Sequence, residues 1–269
     1  MNTIKAKMSL EGRTALITGA KGGLGSQMAI TMAELGANLI LLDLPNIKLS
    51  NILLELMDSN EKNIEIDFIE CNLEDRKSRA SAIEEILDKY STLEILINNA
   101  AFVGQSKLEG WATDFESQSI ETWERAMEVN LTSIFDLSKN LTPLIGKSKK
   151  GSIINIASIY SIMGPVHDLY KDTDMGNPAA YAASKGGLVQ LTRWLSTTLA
   201  PDIRVNSISP GGIYNGQAEQ FVDRYNNRTP MGRMATYDDF NGIAAYLASD
   251  LSSYMTGQNI IIDGGWTVW

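Results

Sequence analysis

The feature that most constrains this chain is an alternation of short, continuous apolar runs with amphipathic stretches of helical period. The apolar runs are Arg13–Thr18, Asn38–Leu42, Ile64–Ile69, Leu93–Ile97, Ser152–Ile156, Ile203–Ile208 and Asn259–Ile262. Strands buried on both faces read as unbroken runs of this kind, and parallel strands need crossover helices between them. Helical stripes fill the gaps at Ser26–Leu35, Ile47–Met57, Asp75–Tyr90, Glu121–Leu141 and Tyr237–Leu247. A further helix should open at Pro178 with Asn177 as its N-cap, and run through Leu188, Leu191, Trp194 and Leu195 to Leu199. No Pro/Gly/Ser-rich linker and no internal repeat interrupts the pattern. It predicts an α/β chain, residues 1–269 in a single doubly wound domain, with a seven-stranded parallel sheet and helices on both faces.

Charge and residue counts narrow the function. The net charge is −9, and the densest basic cluster is Lys147, Lys149 and Lys150 in a Gly/Ser-flanked turn. A nucleic-acid partner would want a basic stripe, which is absent. No apolar run approaches the roughly 18 residues of a membrane span, and Met1–Leu10 lacks the apolar core of a secretory signal. Cys71 is the only cysteine and His167 the only histidine. An intrachain disulfide and a Cys/His zinc cluster are therefore excluded, and no metal is expected. A Ser-His-Asp hydrolase could use only His167, and no G-x-S-x-G elbow is available. The expectation is a cytoplasmic enzyme of reducing surroundings acting on a small molecule.

Three local patterns point to chemistry. The first strand runs into Thr18-Gly19-Ala20-Lys21-Gly22-Gly23-Leu24-Gly25 and then a helix. Glycines let a backbone approach a pyrophosphate, and the helix N-terminus supplies free N–H groups and a positive dipole end. Lys21 stands where G-x-G-x-x-G needs its second glycine. Both T-G-x-x-x-G-x-G (Gly19, Gly23, Gly25) and T-G-x-x-G-x-x-G (Gly19, Gly22, Gly25) fit, so this motif alone does not choose a family. Asp43 closes the second strand, where an acidic side chain can bond the ribose hydroxyls of a dinucleotide and repel a 2′-phosphate. Tyr181 and Lys185 sit four apart, on one helix face. A nearby ammonium can lower a tyrosine pKa from about 10 toward working pH.

Taken together with Asn98-Asn99-Ala100-Ala101, Asn130, Ser158, Tyr181-Ala-Ala-Ser-Lys185, Pro210-Gly211, Thr256-Gly257-Gln258 and Asp263-Gly264-Gly265, the chain from about Leu10 onward resembles the short-chain dehydrogenase/reductases. The length and the Asn98–Ala101 signature favour their compact branch. The resemblance implies a Rossmann-type fold and a nicotinamide cofactor. Tyr181 would be the proton donor/acceptor. Lys185 would bind the nicotinamide ribose and depress the tyrosine pKa, while Ser158 would bond the substrate oxygen. Asn130 would hold a water in a proton relay. Cofactor contacts would come from Gly19, Lys21, Gly23, Leu24, Gly25, Asp43, Leu44, Asn72, Leu73, Asn98, Ala100, Tyr181, Lys185, Pro210, Gly211 and Ile213. It also implies a homotetramer or homodimer, paired through the helices around Glu121–Leu141 and Pro178–Ala200. Residues 1–9 would be an N-terminal extension, 101–118 and 159–177 active-site loops, and 212–233 a substrate lid.

The chain departs from the family at three places. Asn72 stands where an aspartate is usual, Asn215 is the nearest replacement for a missing threonine after Gly211, and 23 positions separate Ser158 from Tyr181, about twice the common spacing. NAD is expected over NADP, since Leu44 rather than arginine follows Asp43; Lys21 is the counter-indication. The leading function is hydride transfer between nicotinamide and a secondary alcohol or ketone. The loops carry His167, Asp168, Tyr170, Lys171, Gln105, Lys107 and Trp111, with Trp266 and Trp269 at the C-terminus and Arg224, Arg228 and Arg233 in the lid. This mixture suits a sugar, phosphorylated or nucleotide-linked, and part of the chain resembles family members of bacterial surface-sugar biosynthesis. His167, Trp111, Arg224 and Arg228 are the candidate substrate contacts beside Ser158. The alternatives are a non-sugar polyol or ketone substrate, or a non-catalytic cofactor-binding regulator.

Overall fold

The apolar runs form strands because their branched side chains alternate between two buried faces. In β1 (Thr14–Thr18), Ala15 and Ile17 enter one core while Leu16 enters the other. The computed structural model describes residues 3–45, 53–55, 63–103 and 108–269. Of the expected helix Ile47–Met57 only residues 53–55 fall within these, and they are helical. The rest of that stretch, like Gln105 and Lys107, lies outside the described residues.

The other strands are β2 (Asn38–Asp43), β3 (Ile66–Glu70), β4 (Ile95–Asn98), β5 (Gly151–Ile156), β6 (Ile203–Pro210) and β7 (Asn259–Ile262). They form one parallel sheet in the order β3-β2-β1-β4-β5-β6-β7. The chain steps outward from β1 to β3, then returns to lay β4 on the other side of β1. The crossovers diverge there, which opens a crevice at the carboxyl ends of β1 and β4.

Beside helical residues 53–55 and several short 3₁₀ or π turns, the helices are α1 (Ile4–Met8), α2 (Gly23–Glu34), α3 (Arg76–Lys89), α4 (Ile120–Met127), α5 (Ser133–Ile145), α6 (Ala179–Leu199), α7 (Glu219–Arg228) and α8 (Asn241–Ala248). Met28 and Met32 of α2 with Ala244 and Leu247 of α8 cover one face of the sheet. Ile83 and Ile86 of α3, Leu137 and Leu141 of α5 and Leu195 of α6 cover the other. Among the described residues no helix is long and apolar enough to cross a membrane.

Several boundaries differ from expectation, each for a local reason. Helix α2 begins inside the glycine motif, at Gly23 rather than Ser26, and the Ser26 hydroxyl donates to the Gly23 carbonyl at 3.0 Å. The long helix over Glu121–Leu141 is two helices, α4 and α5, joined by a π-helical turn at Glu128–Thr132 that contains Asn130. Pro178, not Asn177, is the N-cap residue of α6, with no side-chain cap. Asn177 spends its side chain elsewhere. Trp194 is 56% exposed, because Leu188 and Leu195 define the inward stripe one turn-pair apart. Helix α7 escaped the sequence reading because its segment is strongly polar; only Phe221 and Tyr225 face inward.

Candidate active site

The loops after β1 and β4 clasp each other at the crevice. Thr18 Oγ1 accepts from the backbone N–H groups of Asn99 and Ala100, both at 3.0 Å. Asn99 Nδ2 donates back to the carbonyls of Thr18 (3.0 Å) and Gly19 (3.1 Å). Gly19 has φ +65° and a Cβ there would lie 2.8 Å from Ala100 Cα; a Cβ on Gly25 would lie 2.1 Å from the Gly19 carbonyl oxygen. Only glycines permit a turn this tight against the start of α2. Gly22 is the N-cap of α2 and brings no side chain to cap it, so the first-turn N–H groups and the dipole end remain for an anion.

Asp43, at the end of β2, accepts from the N–H of Lys21 (2.7 Å) and of Leu44 (2.8 Å), which fixes both of its oxygens. Lys21 Nζ reaches the Leu44 carbonyl at 3.4 Å, close beside that carboxylate. Gly19, Lys21, Asp43, Leu44, Asn72, Leu73 and Ala100 line a cavity of about 530 Å³. Leu24, Ser158, Tyr181, Lys185, Pro210, Gly211 and Ile213 line another of about 420 Å³. Asn99, Ala101 and Val103 border both, so the two form one elongated cleft along the carboxyl edge of the sheet. A side-chain-free turn, an uncapped helix N-terminus and a fixed carboxylate along such a cleft fit a dinucleotide. Asn98 is a correction. It is buried and donates to Asn155 Oδ1 at 2.8 Å, and Asn99 borders the cleft in its place. Gly25 is likewise a packing residue, and Gly23 lies against the Tyr237 ring.

At the other end of the cleft, α6 presents Tyr181 and Lys185 toward Ser158 at the end of β5. The Ser158 hydroxyl lies beside the Tyr181 phenol and accepts from the Tyr160 N–H at 3.2 Å. Lys185 is buried, with Nζ donating to the Ile156 carbonyl at 2.7 Å and lying 5.8 Å from the centre of the Tyr181 ring. Burial pulls its pKa down from 10.5 to about 8. Burial also pushes the Tyr181 phenol up, with the neighbouring Ser158 hydroxyl acting in the opposite direction. The ammonium is turned to the Ile156 carbonyl rather than to the Tyr181 hydroxyl. Asn130 Oδ1 accepts from the Phe102 N–H at 2.6 Å, while Nδ2 donates to the Phe102 carbonyl (3.2 Å) and to Ser184 Oγ (3.1 Å). Ser184 in turn donates to the Tyr181 carbonyl at 2.9 Å. Asn130 thus ties loop and helix together, and its side chain keeps one lone pair at most for a relay water.

The expected substrate contacts separate. Trp111 is 2% exposed, meets Phe102 edge-on and donates Nε1 to the Val103 carbonyl at 2.9 Å, so its face is closed to a sugar. Trp266 is buried and stacks on Tyr225. Arg224 donates to the carbonyls of Lys171 and Leu169, holding the loop ahead of α6. Arg228 lies over the Trp266 ring. Both arginines border a separate, open depression with Asp168 and Trp269 rather than the cleft. His167 is exposed on a short 3₁₀ turn. Arg233 is held by Asp239 at 2.7 and 2.8 Å. Residues given no substrate role from sequence line the catalytic cavity instead, among them Tyr160, Asn177, Gln217, Phe221 and Tyr225. The surplus spacing ahead of Tyr181 was the only sequence signal for the first two.

A family model described as enoyl-(acyl carrier protein) reductase matches residues 19–267. The chain is 31% identical to a 3-oxoacyl-[acyl-carrier-protein] reductase of Thermotoga maritima, over 96% of this chain and 99% of that protein. A gluconate 5-dehydrogenase of Burkholderia cenocepacia, solved with NADP and tartrate, superposes with a TM-score of 0.84 at 27% identity, covering 99% of this chain and 100% of that one. A short-chain dehydrogenase of Leptospira borgpetersenii with bound NAD+ gives a TM-score of 0.82 at 31% identity, over 99% and 96% of the two chains. With the sheet order, the glycine turn and the Ser158–Tyr181–Lys185 arrangement, these likenesses make the chain a compact member of the short-chain dehydrogenase/reductase family, an NAD(P)-dependent oxidoreductase.

Proposed function

We propose that this protein moves hydride between NAD(H) and a secondary alcohol or ketone of a hydroxyl-rich compound, with Tyr181 as acid and base. The observation that carries the reading is one cleft with Ser158, Tyr181 and Lys185 at one end and the glycine turn and Asp43 at the other. The nicotinamide ring supplies the hydride donor or acceptor when bound. Burial keeps the Tyr181 phenol protonated at neutral pH, ready to give its proton to the oxygen that gains charge during reduction. The Ser158 hydroxyl donates to that same oxygen. In oxidation Tyr181 takes the proton, and Lys185 stabilises the phenolate by turning from the Ile156 carbonyl, which it reaches at 2.7 Å. Asn130 keeps the turn that carries Tyr181 in place through Ser184.

NAD(H) is the preferred cofactor in this reading, because the fixed Asp43 carboxylate would face a 2′-phosphate at close range. Lys21 opposes that preference. Tyr160, Tyr170, Asn177, Asn215 and Gln217 on the cavity wall support a sugar-like substrate, as does the gluconate-named neighbour. The phosphate clamp expected of Arg224 and Arg228 drops out, since neither borders the cavity. Met175, Phe221 and Met234 on the same wall favour a second reading, an acyl ketone of the kind the Thermotoga relative's name describes. For assembly, Trp123, Phe135 and Trp194 lie exposed on α4, α5 and α6 and support pairing of copies through these helices, which sedimentation would read directly. The cytoplasm is the proposed location, in keeping with a single, buried, free cysteine.

The test is Tyr181→Phe, assayed with polyols, sugars, sugar acids and acyl ketones. Turnover should fall by about 10³-fold while NADH affinity stays within about twofold. Near-normal turnover would overturn the assignment. Activity confined to acyl ketones would select the second reading.

A further inference from the structure

The loop between Ser158 and Tyr181 turns three polar side chains into one cluster on the wall of the catalytic cavity. The Tyr160 and Tyr170 hydroxyls lie 2.5 Å apart, and the Asn177 side chain lies beside both. All three residues line the cavity together with Ser158 and Tyr181. Tyr160 is also tied directly to the reacting centre, since its N–H donates to Ser158 Oγ at 3.2 Å.

A count of donors and acceptors shows what the cluster lacks. Asn177 Oδ1 is buried with no partner among the described residues, so the amide meets the tyrosines through Nδ2. The two phenols bring two protons of their own, and their mutual bond uses one. One O–H donor and one C=O acceptor are therefore left over, on groups that share a cavity wall. Leaving buried polar groups unpaired is costly, so such a pair marks a place where a ligand completes the network.

We infer that Tyr160, Tyr170 and Asn177 form a recognition subsite for a second hydroxyl of the substrate, close to the carbon that exchanges hydride. A hydroxyl accepts from the spare phenol and donates to Asn177 Oδ1. A carboxylate would meet the Oδ1 lone pairs with its own, and an ammonium has nothing to accept the phenol proton. Burial raises the pKa of both tyrosines, so they stay neutral donors. The subsite is also preformed. Tyr170 packs on Phe221 of α7 at 5.5 Å between ring centres, and Arg224 holds the carbonyls of Leu169 and Lys171. Preformed partners penalise a substrate that lacks the matching group more than they reward one that has it.

The inference rests on the cavity being the site of hydride exchange, and the experiment separates the two. Ketone reduction by NADH is measured for matched pairs, cyclohexanone against 2-hydroxy- and 3-hydroxycyclohexanone, and butanone against 3-hydroxybutanone. The readout is the ratio of kcat/KM, hydroxylated over plain, within each protein, so a general loss of activity cancels. The wild type should favour a hydroxylated ketone by about tenfold or more. Tyr170→Phe, Tyr160→Phe and Asn177→Leu should each bring that ratio to within about threefold of unity. No preference in the wild type, or a preference that all three variants keep, overturns the subsite and leaves the oxidoreductase reading standing. Turnover of none of these ketones, hydroxylated or plain, overturns both.

Discussion

Replacing Lys185 by methionine should stabilise the cofactor-free protein while abolishing its turnover. Lys185 is 1% exposed, and burial takes its pKa from 10.5 to about 8. That difference corresponds to about 3 kcal/mol of penalty for keeping the ammonium charged inside the fold. Methionine has a similar length and no charge, so the penalty disappears. The Nζ bond to the Ile156 carbonyl at 2.7 Å goes with it, at a cost of about 1 kcal/mol. The net gain below pH 8 is therefore about 2 kcal/mol, or about 4–8 °C in Tm for a chain of this size. The pH dependence fixes the sign. The folded pKa is depressed, so between about pH 8 and 10.5 the unfolded chain holds a proton that the folded protein has released, and wild-type stability rises with pH. Lys185→Met lacks that rise, so its advantage should shrink across this window and turn above it into a deficit of about 1 kcal/mol, the lost Nζ bond. The buried tyrosines, whose pKa values are raised, lose their stabilising effect only as pH climbs past about 10, and they do so in both proteins. Thermal unfolding of both proteins at pH 7, 8, 9 and 10 reads the difference directly. A variant less stable than wild type at pH 7, or a gap that does not change with pH, would refute the account of Lys185 as a strained, buried cation.

Two further outcomes follow from single contacts. Asp43→Asn removes the charge and keeps one of the two acceptor oxygens that meet the Lys21 and Leu44 N–H groups, so kcat/KM for NADPH relative to NADH should rise about tenfold or more; an unchanged ratio would place cofactor choice with Lys21. Arg79, 1% exposed, holds Glu128 at 2.7 Å, Asp136 at 3.0 Å and the Leu73 carbonyl. Arg79→Ala would take the donor from the Leu73 carbonyl and the nearest cation from both carboxylates, which keep Arg76 and Asn140 and part of their solvent, and chemical denaturation should show a loss of about 2–3 kcal/mol.

Much of this architecture was legible in the residues because it depends on local periodicity. Ile153 and Ile154 enter opposite cores as neighbours in a strand must, and the seven apolar runs became the seven strands. Thr18–Gly25 announced a tight strand-to-helix turn for the same reason: a Cβ at Gly19 or Gly25 collides with backbone, so the residue type itself records the close approach. The spacing of Tyr181 and Lys185 by itself puts both on one face of α6. What the sequence could not decide is where a polar side chain spends its hydrogen bonds, because the partner arrives from a distant segment. Arg224 and Arg228 read equally well as anion ligands, yet one clamps the carbonyls of Leu169 and Lys171 and the other covers Trp266. Trp111 read as an open aromatic face and is sealed against Phe102. Asn177 read as a helix cap, and the fold instead carries it to Tyr160 and Tyr170, whose hydroxyls no spacing rule would bring together. Periodicity determines which way a residue faces along its own element; only packing between elements determines what it meets there, and the chemistry of this cleft depends on those meetings.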